Sequence, residues 1–201
     1  GGSVGTNGPL AAEIVEFGSL DDLKAAPKGS LTGKIAFVNQ KMVRAKDGSG
    51  YGPVSTLRRT GASEAASKGA VAFVIRSVGT DSDRLPHTGM MRYEDGITKI
   101  PAVALSVPDA DLLANMLKRD NPVKIELNID AGFTGSKTEY NIIGEITGRT
   151  KPEEVVIIGG HLDSWDLGTG AIDDGAGVAI TMAAGQLIGQ MKKAPKRTVR
   201  V

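Results

Sequence analysis

One short stretch, Gly159 to Gly177, holds a histidine and four aspartates among closely spaced glycines: Gly159-Gly160-His161-Leu162-Asp163-Ser164-Trp165, then Asp166, then Asp173-Asp174-Gly175-Ala176-Gly177. Imidazole and carboxylate in this proximity suit the binding of a divalent cation. The chain has no cysteine, so a transition metal here must be held by nitrogen and oxygen alone. His161 and Asp173 are the candidate metal ligands. Asp163, two residues beyond the histidine, shares its side of an extended chain and can hydrogen-bond and orient the ring, as partners of metal-bound histidines do. Asp173 and Asp174 stand in a Gly-rich turn that opens a helix, where small neighbours let a carboxylate approach a cation closely. A His-x-Asp pair is common by chance, and Asp-Asp-Gly is often only a turn or a helix cap. On one strand–loop–helix frame, the combination points to half of a zinc-type hydrolase centre. Ser164, Trp165 and Asp166 read as packing and loop-shaping residues.

Such a site needs elements to hold it. The apolar run Val155–Ile158 reads as a buried strand whose carboxyl end delivers His161, the edge at which open α/β sheets build their crevices. Val178 to Met191 reads as the helix after Asp173, Tyr140–Ile146 as a second strand, and the β-branched run from Thr198 as another. Upstream the pattern gives a strand at Glu13–Phe17 and a short helix capped by Ser19 with Asp22 in its first turn. A central strand follows at Lys34–Val38, then a polar, Gly-rich stretch from Lys41 to Val54. Next come a helix from Leu57 to Lys68 ending at Gly69, and a strand at Ala70–Ile75. Ser77 to Lys99 is irregular, a length at which loops more often bind than merely connect. A strand at Ile100–Leu105, a helix at Ala110–Leu117 and an alternating strand at Val123–Ile129 complete this part. Gly132–Thr138 reads as a hinge. The fold class is therefore α/β, in two units.

Lys and Arg number 24 against 23 Asp and Glu, a net charge of +1, so no global field recruits nucleic acid or an anionic membrane. Small molecules or peptides are the expected partners. No apolar run approaches the roughly 18 residues of a membrane span, and the first residues lack the pattern of a signal peptide. The opening without Met and the strand at the last residues suggest a fragment.

The string GGHLDSWDLGTGAIDDGAG, residues 159–177, resembles the metal-binding core of the M28 peptidases, zinc exopeptidases with two co-catalytic metals. Its Ser164-Trp165-Asp166 variant most resembles the carboxypeptidase Q branch. Residues 10–132 resemble a protease-associated (PA) domain, chiefly through the Ile100-Pro101-Ala102-Val103 strand and the helix after it. The resemblance implies an N-terminal tail over 1–9, a β-rich PA domain over 10–132 and the start of a mixed-sheet peptidase domain over 133–201. It implies that His161 binds one Zn2+, that Asp173 bridges both, and that Asp163 serves catalysis by holding His161. Asp174 would follow through a strained peptide that can be cis; a plain helix cap is the equal alternative. The family's base and second acidic ligand form a Glu-Glu pair that would follow the strand starting at Thr198, beyond Val201, so the resemblance implies a chain inactive alone. The resemblance further implies peptide or dipeptide substrates, a possible homodimer, and a secreted, periplasmic or lysosomal location.

Three other readings stay open. One is a small-amide deacylase on the same centre, another a PA-type interaction or lid module without activity, and the third a degenerate, inactive peptidase homologue. The second histidine, His87, follows Pro86 in the long loop and reads as a surface residue; contact with substrate or a partner subunit is its lesser reading.

Overall fold

Two strands whose residues are apolar on both sides organise the first unit. In a strand, side chains alternate between faces, so an unbroken apolar run requires cover above and below. Strand β2 (Ile35–Val38) and strand β3 (Ala72–Arg76) are buried along their whole length. Ala36, Val38, Phe73 and Ile75 point into one apolar cluster, and Ile35, Phe37, Ala72 and Val74 into another. The structure is a computed structural model that describes every residue except 88, 120, 166 and 167, and it divides into two units, Gly1–Gly135 and Ser136–Val201.

The first unit is a five-stranded sheet in the order β4-β3-β2-β1-β5, with β1 at Leu10–Phe17, β4 at Ala102–Leu105 and β5 at Lys124–Leu127. Strands β1 to β4 run parallel, and β5 returns antiparallel along β1 with Ala12 opposite Ile125. Helices α1 (Leu20–Ala25) and α2 (Tyr51–Ser67) supply Leu20, Leu23, Val54 and Leu57 to one cluster. Helix α3 (Val107–Leu117) covers the other face with Ala110 and Leu113. The fold class is α/β, as the sequence implies, and the mixed sheet expected of the second unit is found in the first as well.

Local chemistry explains the element ends. The Ser19 hydroxyl accepts from the Asp22 backbone N–H at 3.1 Å and starts α1, as its position in the sequence suggests. Helix α2 begins at Tyr51, six residues before the sequence reading places it, because Pro53 lies in the first turn, where its missing N–H is not needed. Helix α3 likewise begins at Val107, with Pro108 in its first turn and Ser106 Oγ accepting from Asp109 N at 3.2 Å. Arg76 is buried at the end of β3, where Nη1 donates to Asp111 Oδ1 at 2.8 Å and to Asn39 Oδ1 at 2.9 Å. These partners make a buried guanidinium tolerable.

The second unit is a three-stranded sheet, β6 (Glu145–Ile146), β8 (Arg197–Arg200) and β7 (Lys151–Ile157), in the order β6-β8-β7, with helix α4 at Gly177–Gly189. Buried Thr198 ties the sheet together: its hydroxyl donates to Pro152 O at 2.7 Å and accepts from Gly148 N at 3.0 Å. Two sequence readings are corrected here. The strand over Tyr140–Ile146 shrinks to two residues, since only Gly144 continues the pairing, exchanging hydrogen bonds with Val201. The run Val155–Ile158 is not buried: Val155, Val156 and Ile157 are 40%, 47% and 69% exposed, because among the described elements β8 alone packs substantially against β7, and a paired neighbour strand does not cover a sheet's faces.

Helix α2 lies so close to β3 that a Cβ on Gly61 would come within 2.3 Å of the Phe73 ring. Replacing glycine by alanine inside a helix ordinarily stabilises by about 1 kcal/mol. Here overpacking dominates, and Gly61→Ala lowers the stability of the first unit by about 1–3 kcal/mol. The urea midpoint, followed through the amide resonances of β2 and β3, measures it; an increase would contradict the packing described.

Candidate metal centre

Strand β7 ends at Ile157, and the Ile158 N–H still reaches the Arg200 carbonyl at 2.9 Å, so the chain leaves the sheet at Gly159 and turns at once into His161. The loop that follows is pinned by its own atoms. Ser164 Oγ donates to Gly168 O at 3.2 Å, Gly168 N to Trp165 O at 3.0 Å, and Gly175 N to Gly170 O at 2.7 Å. Gly170, at φ 67°, occupies the left-handed region that favours glycine. Ser164 thus shapes the loop as read from the sequence, while Asp166 lies outside the described residues.

The return segment, Ala171–Ala176, is an irregular helical turn in which Asp173 (φ −114°, ψ 87°) and Asp174 (φ −132°, ψ 33°) depart from helical angles. Their peptide bond is cis. This turn carries both carboxylates back to the histidine. His161 Nε2 lies 3.0 Å from Asp173 Oδ1; Nδ1 lies 2.9 Å from the Asp163 carbonyl oxygen and 3.1 Å from Asp163 Oδ1. The structure therefore brings His161, Asp163 and Asp173 together, with the aspartate side chains largely exposed.

Asp174 is the residue whose role the sequence left undecided. Helix α4 receives no side-chain cap, and Asp174 Oδ2 instead accepts the His161 backbone N–H at 3.3 Å. Ring and backbone of one residue are thus held by three different aspartates. The available signal was the glycine on each side, Gly160 and Gly177, which leaves room for that carboxylate.

Both ring nitrogens of His161 face oxygen atoms, so the imidazolium form is favoured. Its pKa is raised, first by the hydrogen bond to the Asp163 carbonyl, which outweighs the opposing desolvation, and then by the Asp173 carboxylate and the charges of Asp163 and Asp173. His87 behaves oppositely. It is a surface residue, as read from the sequence, with Nδ1 3.0 Å from Arg58 Nη1 and its ring edge-on to Tyr51. Partial burial and then the Arg58 charge lower its pKa. With Pro86, Gly89 and Met91 of the long loop, it lines a cavity of about 240 Å³ whose floor includes Phe73, Ile75 and Ala104.

Among the described residues, no group of three or more His, Cys, Asp or Glu side chains is placed to hold one metal ion. The pair that is placed does fit one. Two donors at about 2.0–2.2 Å from a tetrahedral zinc lie roughly 3.3 Å apart, close to the 3.0 Å between His161 Nε2 and Asp173 Oδ1. A cation there would take the place of the direct contact between them, and its binding would require Nε2 to be free of a proton.

Residues 141–201 match the model of Peptidase family M28. Carboxypeptidase Q of Mus musculus is 41% identical over 202 residues, spanning 100% of this chain and 42% of that protein. Carboxypeptidase Q of Homo sapiens is 39% identical, again over 100% of this chain and 41% of the relative. Among solved structures, a peptidase M28 precursor from Shewanella amazonensis SB2B superposes with a TM-score of 0.94 at 55% identity, covering 100% of this chain and 46% of that one. A zinc aminopeptidase from Bacillus subtilis shares the fold at a TM-score of 0.61 and 22% identity, over 99% of this chain and 42% of its own. The chain thus spans about two-fifths of the length of the curated relatives it matches.

With only His161 and His87 in the chain, the two imidazole C2–H resonances separate the environments directly. In the metal-free chain His161 titrates above the ordinary histidine value of about 6.5 and His87 below it. In linkage terms, His161 contributes stability that is full below the ordinary pKa and lost as pH rises through its raised one. The His87 contribution is full above the ordinary pKa and lost as pH falls toward its depressed one. Two coincident titrations near the ordinary value would contradict this geometry.

Proposed function

We propose, for a chain that belongs to peptidase family M28 through residues 141–201, that it forms part of a metal-dependent exopeptidase hydrolysing peptides or dipeptides at a two-zinc centre. The observation that carries the reading is the 3.0 Å approach of His161 Nε2 to Asp173 Oδ1, in a chain that has no thiolate to offer a metal. His161 would hold one zinc, and Asp173 would hold it together with a second. Zinc bound there supplies the positive charge that polarises a scissile carbonyl and makes a water acidic enough to give up its proton.

The chain's own residues position the ligands. Asp163 accepts from Nδ1 through its carbonyl, with its carboxylate 3.1 Å from the same nitrogen, which fixes the tautomer that leaves Nε2 for metal. That makes Asp163 a positioning residue of the centre. Ser164, through the loop bond to Gly168, holds the segment between the two ligands at a fixed span. Residues 10–132 are assigned to a PA domain and 133–201 to the peptidase domain. No described helix is long and apolar enough to cross a membrane, and a secreted, periplasmic or lysosomal location accords with the carboxypeptidase Q relatives. Zinc aminopeptidases and carboxypeptidase Q are both among the similar proteins, so the reading covers cleavage from either end.

A catalytic zinc ordinarily takes three protein ligands, and the described residues supply two. The purified 201-residue chain is therefore expected to hydrolyse no dipeptide measurably. The reading is tested by grafting this sequence in place of the matching segment of the full-length Shewanella amazonensis peptidase M28 precursor, with which it shares 55% identity. The graft should cleave dipeptides and lose activity to a chelator. His161→Ala or Asp173→Ala should lower its turnover by more than about 100-fold, beyond the cost of losing an outer partner. Full activity in either variant would remove the reading.

A further inference from the structure

Gly177 opens α4 with φ −63° and ψ −40°, angles that any residue adopts. Backbone freedom is therefore not what it supplies, and in a helix glycine is disfavoured against alanine. What it supplies is space. A Cβ built there would lie 2.2 Å from Asp174 Oδ1, 2.7 Å from its Cγ and 2.7 Å from Oδ2. Across the carboxylate stands Gly160, whose added Cβ would meet Asp174 Oδ2 at 2.8 Å, Val178 N at 2.7 Å and Gly177 C at 3.0 Å. Seated between these two glycines, Asp174 Oδ2 accepts the His161 N–H at 3.3 Å.

We propose that Gly160 and Gly177 form a slot for the Asp174 carboxylate, and that Asp174 is thereby a positioning residue: it fixes the His161 backbone, as Asp163 fixes the ring, so that Nε2 stays opposite Asp173. The inference rests on the reading of His161 and Asp173 as the metal-holding pair. In that arrangement no residue other than glycine at position 177 leaves the carboxylate in place. Losing an outer partner of a metal ligand typically costs about 10- to 100-fold in metal affinity, and eviction of Asp174 should fall in that range.

The test is a mutant cycle in the full chain. Wild type, Gly177→Ala, Asp174→Ala, the double variant, Gly159→Ala and His161→Ala are compared by zinc competition against a chromophoric chelator. Hydrogen exchange of the His161 amide is followed in the same proteins without metal. Gly177→Ala and Asp174→Ala should each weaken zinc binding by about 10- to 100-fold and strip the His161 amide of protection. The double variant should be no worse than Asp174→Ala, because the methyl group added at position 177 harms only by displacing a carboxylate that is already gone. Gly159→Ala, whose Cβ would meet nothing within 4 Å, should match wild type. Helix propensity favours alanine at position 177, so the thermal midpoint of Gly177→Ala should not fall; should that variant fail to fold, Asp174→Ala still decides through both readouts. Additive losses in the double variant overturn the slot, as does a Gly177→Ala protein that binds zinc and protects the amide like wild type. If His161→Ala itself binds zinc as wild type does, the metal-holding pair is wrong, and the inference falls with it for that separate reason.

Discussion

Two carboxylates flank a single imidazole and a third holds its backbone, and like charges do not gather in this way without something positive among them. Asp163 and Asp173 flank the His161 ring, while Asp174 grips its backbone. The same arrangement raises the pKa of His161, first through the hydrogen bond to the Asp163 carbonyl. A divalent cation between His161 Nε2 and Asp173 Oδ1 would meet the same demand more strongly. The Gly-rich loop, the irregular turn at Asp173 and the room left beside Gly160 and Gly177 all follow from the need to bring these charges together at the end of one strand.

Each unit solves its own packing problem around that demand in a different way. In the first, two apolar strands are covered on both faces by helices, which gives a rigid sheet able to carry the long loop from Ser77 to Lys99 and its cavity. In the second, Thr198 knits the turn at Gly148 and the start of β7 to β8, so the strand that delivers His161 is anchored at its far end by buried hydrogen bonds. Its apolar residues nevertheless stay open to solvent. The site is thus built on firm backbone connections, while the side chains of β7 remain largely uncovered.

Much of this was legible from residue types. The cap at Ser19, the two apolar strands of the first unit and the His161–Asp163–Asp173 set are local patterns with local causes. Helix starts were misplaced wherever a proline sits in the first turn, because Pro53 and Pro108 look like breakers although their missing N–H costs nothing there. The exposure of Val155 to Ile157 was illegible, since an apolar run looks the same whether or not a neighbour covers it. Asp174 was illegible for a related reason: its partner is a backbone N–H thirteen residues earlier, and only the placement of Gly160 and Gly177 hints at it.

The central claim is that one cation sits between His161 and Asp173. Anomalous scattering at the zinc edge, from crystals of the zinc-loaded chain, tests it most directly. The account predicts a peak about 2.0–2.2 Å from both His161 Nε2 and an Asp173 carboxylate oxygen. A peak on His87, on surface carboxylates alone, or on neither of the paired residues would contradict it.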